Sequence, residues 1–183
     1  DAISHMNDTP AQVLMGHLEI AGCLMMRGMT NEHGMDIDSF DKFDMVMSGH
    51  FHTKSTSKNV HYLGTPYQIT WSDYKEDKGF HIFDTDTREL TFVRNPHQNF
   101  HKVYYDDATQ DDMTFIKDSS EYDYLKGGYV KVIVQTKENP YWFDIFMEKI
   151  TNNSPAAVQV VDDHLNLNLE DDDDIINQAE DTV

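Results

Sequence analysis

The sequence has few of the residues that mark secreted or membrane-embedded proteins. It contains one cysteine, Cys23, in 183 residues, which excludes an intramolecular disulfide framework and is typical of a protein in a reducing compartment. Cys23 lies in an apolar stretch, which favours a small core residue over a nucleophile. No apolar run approaches the length of a membrane span, and the first residues do not have the pattern of a signal peptide. We therefore expect a cytoplasmic protein that has no membrane partner.

Basic residues are also scarce. The sequence has 14 lysines and arginines against 33 aspartates and glutamates, a net charge of -19. This balance argues against a protein that simply grips nucleic-acid phosphates, because lysine and arginine make those contacts. Residues 170–174 form an acidic run that lacks the spaced ligands and the glycine of a calcium-binding EF-hand loop. This run predicts a disordered acidic tail over residues 163–183, and bound divalent metal ions would reverse the field at a site elsewhere.

A buried strand followed by histidine occurs twice in the sequence. Residues 11–16 and residues 44–48 are short apolar runs that end in a small-residue break, and they are followed by His17 and by His50 and His52. Residues two apart in an extended segment project to the same side. In open α/β sheets, ligands collect beyond the carboxyl ends of the strands. We therefore predict that the three histidines meet at one sheet edge and bind metal.

The residues by themselves leave the chemistry of these histidines open. Three imidazoles can bind a single zinc ion that activates water. A histidine pair two residues apart is also frequent in proteins that bind no metal there, and His17 alone fits a satisfied histidine at a strand end. Glu19 can orient His17 as a carboxylate partner, although its position favours a solvated loop acid.

The order of the segments resembles the second half of a calcineurin-like metallophosphoesterase. The resemblance rests on Val-Leu-Met-Gly-His ending at His17, Ser-Gly-His-Phe-His ending at His52, Gly-Thr-Pro-Tyr at residues 64–67 and Lys-Gly-Phe-His-Ile-Phe at residues 78–83. Within that superfamily, the segments are similar to the SbcD-type nuclease subunits of double-strand-break repair complexes, above all to the recombination endonuclease subunits of tailed phages. The resemblance covers about residues 1–95 well and the remainder loosely.

The resemblance implies a two-metal nuclease. His17 and His50 would bind one ion and His52 the other, with a bridging aspartate from a preceding half that would carry the Asp-x-His, Gly-Asp and Gly-Asn-His segments of the family. Two Mn²⁺ ions are expected, with Zn²⁺ or Mg²⁺ as alternatives, and they would activate a hydroxide that cleaves phosphodiesters. The implied partners are DNA, an SbcC-like SMC-type ATPase and a second copy of the protein. We expect this chain alone to be inactive, and the protein to lie in the host cytoplasm if a phage encodes it.

Two other functions remain open at this point. A metallophosphoesterase for small molecules would suit the acidic surface. A non-catalytic scaffold that docks the ATPase would leave the histidines without a metal. The second half of the chain favours the nuclease, because a small capping domain follows at this place in the nucleases that the sequence resembles.

The predicted fold is α/β. We expect residues 1–95 to form the second half of a two-sheet metallophosphoesterase sandwich, with strands over residues 59–63 and 67–71 and a hairpin over residues 79–93. Residues 96–128 are predicted to be a linker, and residues 129–162 a βαβ-like unit that forms a small α+β capping domain.

Several polar residues outside the histidine segments have weaker predictions. Arg27, in a predicted methionine-rich loop over residues 20–29, has the charge to contact a phosphate, and residues 53–58 form a predicted polar loop. His61 and His81 are expected on the solvent face of strands. His97 and His101 are four residues apart, but Pro96 argues against a helix on which they would form a metal pair.

Overall fold

A computed structural model of the chain describes Ser4, Met6 and residues 8–162. The chain divides into two compact units, Asp1–His97 (unit 1) and Gln98–Val183 (unit 2). Both contain sheets and short helices, so the predicted α/β class is confirmed, while the two-sheet metallophosphoesterase sandwich stays a prediction. The predicted acidic tail over residues 163–183 lies outside the described residues.

Unit 1 is built from short strands and single turns of helix. Its 3₁₀ turns are Ile37–Phe40 and Trp71–Asp73. Its strands are β1 (Val13–Gly16), β2 (Leu24–Met26), β3 (Met29–Thr30), β4 (Met45–Ser48), β5 (Ser55–Ser57), β6 (Val60–Tyr62), β7 (Gly79–Phe83) and β8 (Leu90–Arg94).

The larger sheet of unit 1 has the strand order β1-β4-β6-β5. Strand β4 runs parallel to both β1 and β6, and β5 pairs antiparallel with β6. The strands predicted over residues 11–16, 44–48 and 59–63 are therefore confirmed. The predicted loop over residues 53–58 instead contains β5. Its polar sequence hid the strand, because an edge strand is held by backbone hydrogen bonds rather than by apolar side chains. A positive φ of 51° at Lys58 makes the turn from β5 into β6.

A compact apolar core packs against this sheet. Cys23 is fully buried in it, as predicted, and Phe40 and Phe43 lie there together. The helix around them is only the turn Ile37–Phe40. The amide of Asn59 donates to the carbonyl oxygens of both Phe40 and Phe43, so this side chain satisfies the carbonyls that a longer helix would use.

Two segments of unit 1 differ from their predicted structure. The predicted loop over residues 20–29 contains the antiparallel pair β2 and β3, with Gly28 at a φ of 76° in the turn between them. The strand predicted over residues 67–71 is wrong, because the Asp73 carboxylate accepts hydrogen bonds from the amides of Ile69 and Thr70 and starts a 3₁₀ turn there. The predicted hairpin is confirmed as the antiparallel pair β7 and β8.

Unit 2 is a parallel sheet covered by one helix in the part of the chain that the structure describes. Its elements are β9 (Phe100–Asp106), the 3₁₀ turns Met113–Phe115 and Ser119–Leu125, β10 (Tyr129–Thr136), α1 (Pro140–Asn152) and β11 (Ala157–Asp162). The strand order is β11-β10-β9, and both pairs are parallel. Strand β10, helix α1 and strand β11 form a βαβ unit within residues 129–162, and that this unit is a capping domain stays a prediction.

The linker predicted over residues 96–128 instead supplies the first strand of this sheet. Only Phe100, Val103 and Tyr105 of β9 are buried, which is too sparse a pattern to mark a strand among so many polar residues. The end of β9 is fastened to the start of α1, because the Asp107 carboxylate accepts hydrogen bonds from the Tyr105 hydroxyl and from the amides of Glu138 and Asn139. The unit boundary accordingly falls between His97 and Gln98.

Apolar side chains of α1 and β10 form the core of unit 2. Val130, Val132 and Val134 of β10 pack with Phe146 and Ile150 of α1. Asn139 caps the helix through its side-chain oxygen, which accepts hydrogen bonds from the amides of Tyr141 and Trp142. Across residues 4, 6 and 8–162, no helix is long and apolar enough to cross a membrane.

Candidate metal centre

Adjacent parallel strands bring His17 and His50 together. In the register of β1 and β4, Gly16 lies opposite Ser48, so the chain leaves both strands at the same sheet edge. The imidazole centroids of His17 and His50 are 4.8 Å apart, and the rings are nearly perpendicular at 86°. His17 is exposed and His50 is half-buried. Two imidazoles this close can both serve one metal ion.

The Ser48 hydroxyl ties the two histidine loops to each other. Its Oγ accepts hydrogen bonds from the amides of Leu18 at 3.0 Å and His50 at 3.3 Å, and it donates to the Leu18 carbonyl at 3.0 Å. These three bonds use the one donor and both acceptor positions of a hydroxyl. The sequence indicated Ser48 only as the end of a strand, although a hydroxyl at the last position of a buried strand is a signal for such a role.

The aromatic side chains of Tyr62 and Phe51 fix the backbone next to the histidines. The Tyr62 hydroxyl donates to the Leu18 carbonyl at 2.8 Å and accepts from the Ile20 amide at 3.1 Å. Burial raises the pKa of Tyr62 to about 12, so the hydroxyl keeps its proton. The Phe51 ring stacks on Tyr62 with centroids 4.5 Å apart. The residue between His50 and His52 is therefore held in the core of unit 1, and the histidines on either side of it remain at its edge.

His52 lies beside a buried ion pair. Its Nδ1 is 3.7 Å from Oδ1 of Asp73, and the same carboxylate oxygen is 2.6 Å from Nζ of Lys78. Lys78 Nζ also donates to the His52 carbonyl at 2.9 Å. Burial by itself raises the pKa of Asp73, but hydrogen bonds from Lys78 and from the amides of Thr70 and Ile69 outweigh it and lower that pKa below its usual value. Asp73 therefore stays ionised beside His52.

The three histidines are thus divided into a pair and a single residue. Among residues 4, 6 and 8–162, no group of three or more histidine, cysteine, aspartate and glutamate side chains is arranged to hold a metal ion, which leaves the three-histidine zinc site without structural support. The His17–His50 pair fits a metal ion as part of a larger ligand set, because imidazole accepts Zn²⁺ and also Mn²⁺ when carboxylates complete the shell. That His17, His50 and His52 are metal ligands stays a prediction.

The other predicted polar residues lie away from this edge or in solvent. Glu19 is exposed, and its backbone carbonyl accepts a hydrogen bond from the Met35 amide, which fits a solvated loop acid. Arg27 is exposed in the turn between β2 and β3, and His33 is exposed as well. His97 lies in an exposed segment, and His101 is half-buried on β9, where its ring is 5.3 Å from that of Tyr124.

The prediction that His61 and His81 face solvent is wrong. Both are half-buried, and burial lowers the pKa of each below its usual value. They line a cavity of about 550 Å³ together with Lys54, Tyr62 and Phe92. The alternation of polar and apolar residues along β6 and β7 predicted that His61 and His81 lie on the solvent faces of their strands. It gave no information about the neighbouring side chains that cover those faces.

Relatives of the chain carry the names of nuclease subunits. The chain is 30% identical over 154 residues to exonuclease subunit 1 of Enterobacteria phage T4, a match that covers 84% of the chain and 42% of the phage protein. It is 30% identical over 105 residues to the SbcD subunit of the nuclease SbcCD from Staphylococcus epidermidis, covering 49% of the chain and 27% of that protein. The SbcD subunit from Staphylococcus saprophyticus is 27% identical over 93 residues, covering 47% of the chain and 25% of that protein. No family model matches the chain.

These similarities are to one class of protein, the nuclease subunits. The resemblance to the SbcD type, which the segments around His17 and His52 predicted, is confirmed. The match to the phage T4 exonuclease subunit extends over most of the chain, including parts of unit 2. The chain spans less than half the length of each curated relative that it matches.

Proposed function

We propose that the chain is part of a metal-dependent nuclease that hydrolyses DNA phosphodiesters by exo- or endonucleolytic cleavage in recombination and double-strand-break repair. The observation that carries this proposal is the close pair His17 and His50, 4.8 Å apart at the ends of two parallel strands, in a chain similar to proteins named as nucleases. Because the chain covers 42% of the phage relative, the activity proposed is that of the whole protein.

In this proposal the histidines have separate roles at a two-metal site. His17 and His50 bind one ion, and His52 binds the other. Two Mn²⁺ ions, or Zn²⁺ or Mg²⁺ in their place, would supply a hydroxide nucleophile and stabilise the charge on the attacking and leaving oxygens. The role of Ser48 is to hold the loops of His17 and His50 at one spacing, and Phe51 keeps the turn between His50 and His52 in the core. Three histidines are too few ligands for two ions, so we expect this chain alone to bind metal weakly and to be inactive.

The fold and partners of the whole protein follow the same proposal. Unit 1 would belong to a calcineurin-like metallophosphoesterase sandwich, which is supported by its parallel strands β1, β4 and β6 followed by the hairpin β7–β8. Unit 2 would be the capping domain. The subunit names of the relatives support an assembly with an SbcC-like SMC-type ATPase, and a homodimer is proposed with it. Contact with DNA would be local, because the net charge of -19 disfavours a broad phosphate-binding surface.

The test measures Mn²⁺-dependent cleavage of linear duplex DNA by the whole protein and by its His50→Ala and His52→Ala variants. Loss of an outer partner of a metal ligand costs roughly 10- to 100-fold in activity, so loss of a ligand should cost more than that. His33→Ala is the matched control, because His33 is an exposed histidine of the same unit. Full cleavage by His50→Ala would overturn the proposal.

A metallophosphoesterase for small substrates is the second candidate, and the acidic net charge of -19 favours it. The same preparations should be assayed with a small aryl phosphodiester beside duplex DNA. Histidine-dependent cleavage of the small ester without cleavage of DNA would support this candidate. Absence of both activities, together with retained binding of an ATPase partner, would support a non-catalytic scaffold.

A further inference from the structure

A buried cluster of charged side chains encloses one side of His52. Asp73 is 1% exposed and Lys78 is 4% exposed, and their charged atoms are 2.6 Å apart. Moving two charges out of water carries a desolvation penalty that can exceed their attraction, so a buried ion pair is weak support for a purely stabilising role. The Asp73–Lys78 pair contacts His52, and this contact suggests that the pair is buried in order to position His52.

Lys78 uses all its donors to fix this corner of unit 1. An ammonium group has three N–H donors, and Lys78 Nζ contacts Asp73 Oδ1, Glu76 Oε2 at 2.8 Å and the His52 carbonyl at 2.9 Å. Glu76 in turn accepts a hydrogen bond from the Thr53 hydroxyl at 2.9 Å. The backbone of His52 and the side chain of the next residue are therefore tied to the same charged cluster.

Only one carboxylate oxygen of Asp73, Oδ1, faces His52. Its Oδ2 accepts hydrogen bonds from the amides of Ile69 at 2.8 Å and Thr70 at 3.0 Å. These two bonds prevent rotation of the carboxylate, so Oδ1 stays on the side of Lys78 and His52. The distance of 3.7 Å from Oδ1 to His52 Nδ1 is an electrostatic contact rather than a hydrogen bond, and contacts of this kind tighten when a functional site is occupied.

We propose that Asp73, held in place by Lys78, is a positioning residue for His52. Its carboxylate favours the proton on Nδ1 of the neutral imidazole and leaves Nε2 as the atom that carries a free lone pair. A histidine that binds a metal through one nitrogen commonly donates its other N–H to a carboxylate. The description of His52 as a metal ligand rests on the proposed function, but the effect of Asp73 on the tautomer of His52 does not require metal.

The test is ¹⁵N NMR of the histidine rings in the whole, metal-free protein at a pH where the imidazoles are neutral, with His52 assigned by loss of its signals in His52→Gln. The wild-type protein should show the proton of His52 on Nδ1. In Asp73→Asn the amide oxygen should replace Oδ2, where two backbone amides donate to it, and the NH₂ group should face His52. An NH₂ group donates to Nδ1 and therefore moves the proton to Nε2.

Asp73→Asn leaves the charge of Lys78 buried beside an amide instead of a carboxylate, which disfavours folding. A second variant is therefore needed that removes the charge of Lys78 as well. The double variant Asp73→Asn/Lys78→Met removes both buried charges, which proteins tolerate better than the loss of one partner, and it should show the same change of tautomer. Asp77→Asn is the matched control, because Asp77 is an exposed carboxylate paired with Arg94 in the same unit. An unchanged Nδ1–H tautomer in the folded double variant would overturn the proposal.

Mn²⁺ titrations of the same proteins separate this proposal from the proposed function. We expect Asp73→Asn/Lys78→Met to weaken Mn²⁺ binding roughly 10- to 100-fold and Asp77→Asn to leave it unchanged. If His52→Gln leaves Mn²⁺ binding intact while the tautomer still depends on Asp73, the positioning role stands and the metal role of His52 fails. If His52→Gln abolishes binding while the double variant binds normally and keeps the Nδ1–H tautomer, the metal role stands and the positioning role is overturned.

Discussion

The surroundings of the histidines in unit 1 and the core of unit 2 are stabilised by different interactions. In unit 1, the Ser48 hydroxyl, the Tyr62 hydroxyl and the Asp73 carboxylate make directional contacts to the loops of His17, His50 and His52. In unit 2, apolar side chains of β10 and α1 pack against each other. Apolar packing contributes more free energy, whereas hydrogen bonds fix the positions of particular atoms. The difference shows that the candidate site depends on polar residues whose substitution should affect geometry more than stability.

The largest effect on stability should come from the apolar core of unit 2. Phe146→Ala removes a buried ring that contacts the ring of Tyr105 at 5.0 Å, and we expect a loss of about 3–5 kcal/mol in the free energy of unfolding. The sequence has two tryptophans, Trp71 in unit 1 and Trp142 in unit 2. Urea unfolding can therefore be followed by tryptophan fluorescence for each unit separately. The Trp71→Phe background leaves the Trp142 signal of unit 2, and the Trp142→Phe background leaves the Trp71 signal of unit 1.

Only the Trp142 signal should shift with Phe146→Ala. Tyr141→Ala is the matched control, since Tyr141 is a neighbouring aromatic residue of α1 that is 65% exposed. An equal shift of both tryptophan signals would mean that the units do not unfold independently, and the contrast between them would then be lost.

A smaller loss of stability with a larger change of geometry is expected from Ser48→Ala. The amides of Leu18 and His50 lose a buried acceptor, which should cost about 1–3 kcal/mol. The contact between the rings of His17 and His50 should weaken at the same time, because the two loops no longer share a partner. Nuclear Overhauser effects between the two rings measure this contact. Ser57→Ala on the edge strand β5 serves as the control, and retention of the full ring contact in Ser48→Ala would refute the role given to Ser48.

The smallest effect should be a dependence of stability on pH that is stronger in unit 1. Burial lowers the pKa of His61 and His81 in unit 1 and of His101 in unit 2 below the ordinary value of 6.5. The folded state thus favours the neutral ring, so the unfolded chain binds more protons as the pH falls below that value. Their contribution to stability is present above pH 6.5 and is lost as the pH decreases below it.

Urea midpoints of each tryptophan signal at about pH 7.5 and about pH 5.5 measure this dependence, since these values lie on either side of the ordinary histidine pKa. The drop should be larger for Trp71, and His61→Gln/His81→Gln should reduce it. His33→Gln is the control because His33 is exposed. A drop in the Trp71 signal that the double variant leaves unchanged would show that other groups cause it.

Sequence patterns predicted the parts of the fold that have strong local signals. The apolar runs before His17 and His50 predicted β1 and β4, and the pattern over residues 129–162 predicted the strand–helix–strand order of β10, α1 and β11. Strand β9 escaped prediction because its buried residues are separated by histidine, lysine and tyrosine. Local patterns describe one element at a time, so they are weakest where an element is defined by its neighbour in the sheet.

The candidate site was predicted only in part for the same reason. The three histidines were identified from their spacing, but their division into a pair and a single residue depends on the register of β1 and β4. Residues 73–78 have the composition of a solvated charged loop. In the structure, Asp73 and Lys78 are buried because they pair with each other, and composition does not reveal which charges pair.

The bonds of Ser48 also have a consequence for motion. The amides of Leu18 and His50 share one acceptor atom, although they are 32 residues apart in the chain by their numbering. Local opening that moves Ser48 away must release both amides in the same event. Hydrogen exchange at Leu18 and His50 should therefore have one opening free energy, so that the two histidine loops fluctuate as a single cooperative segment.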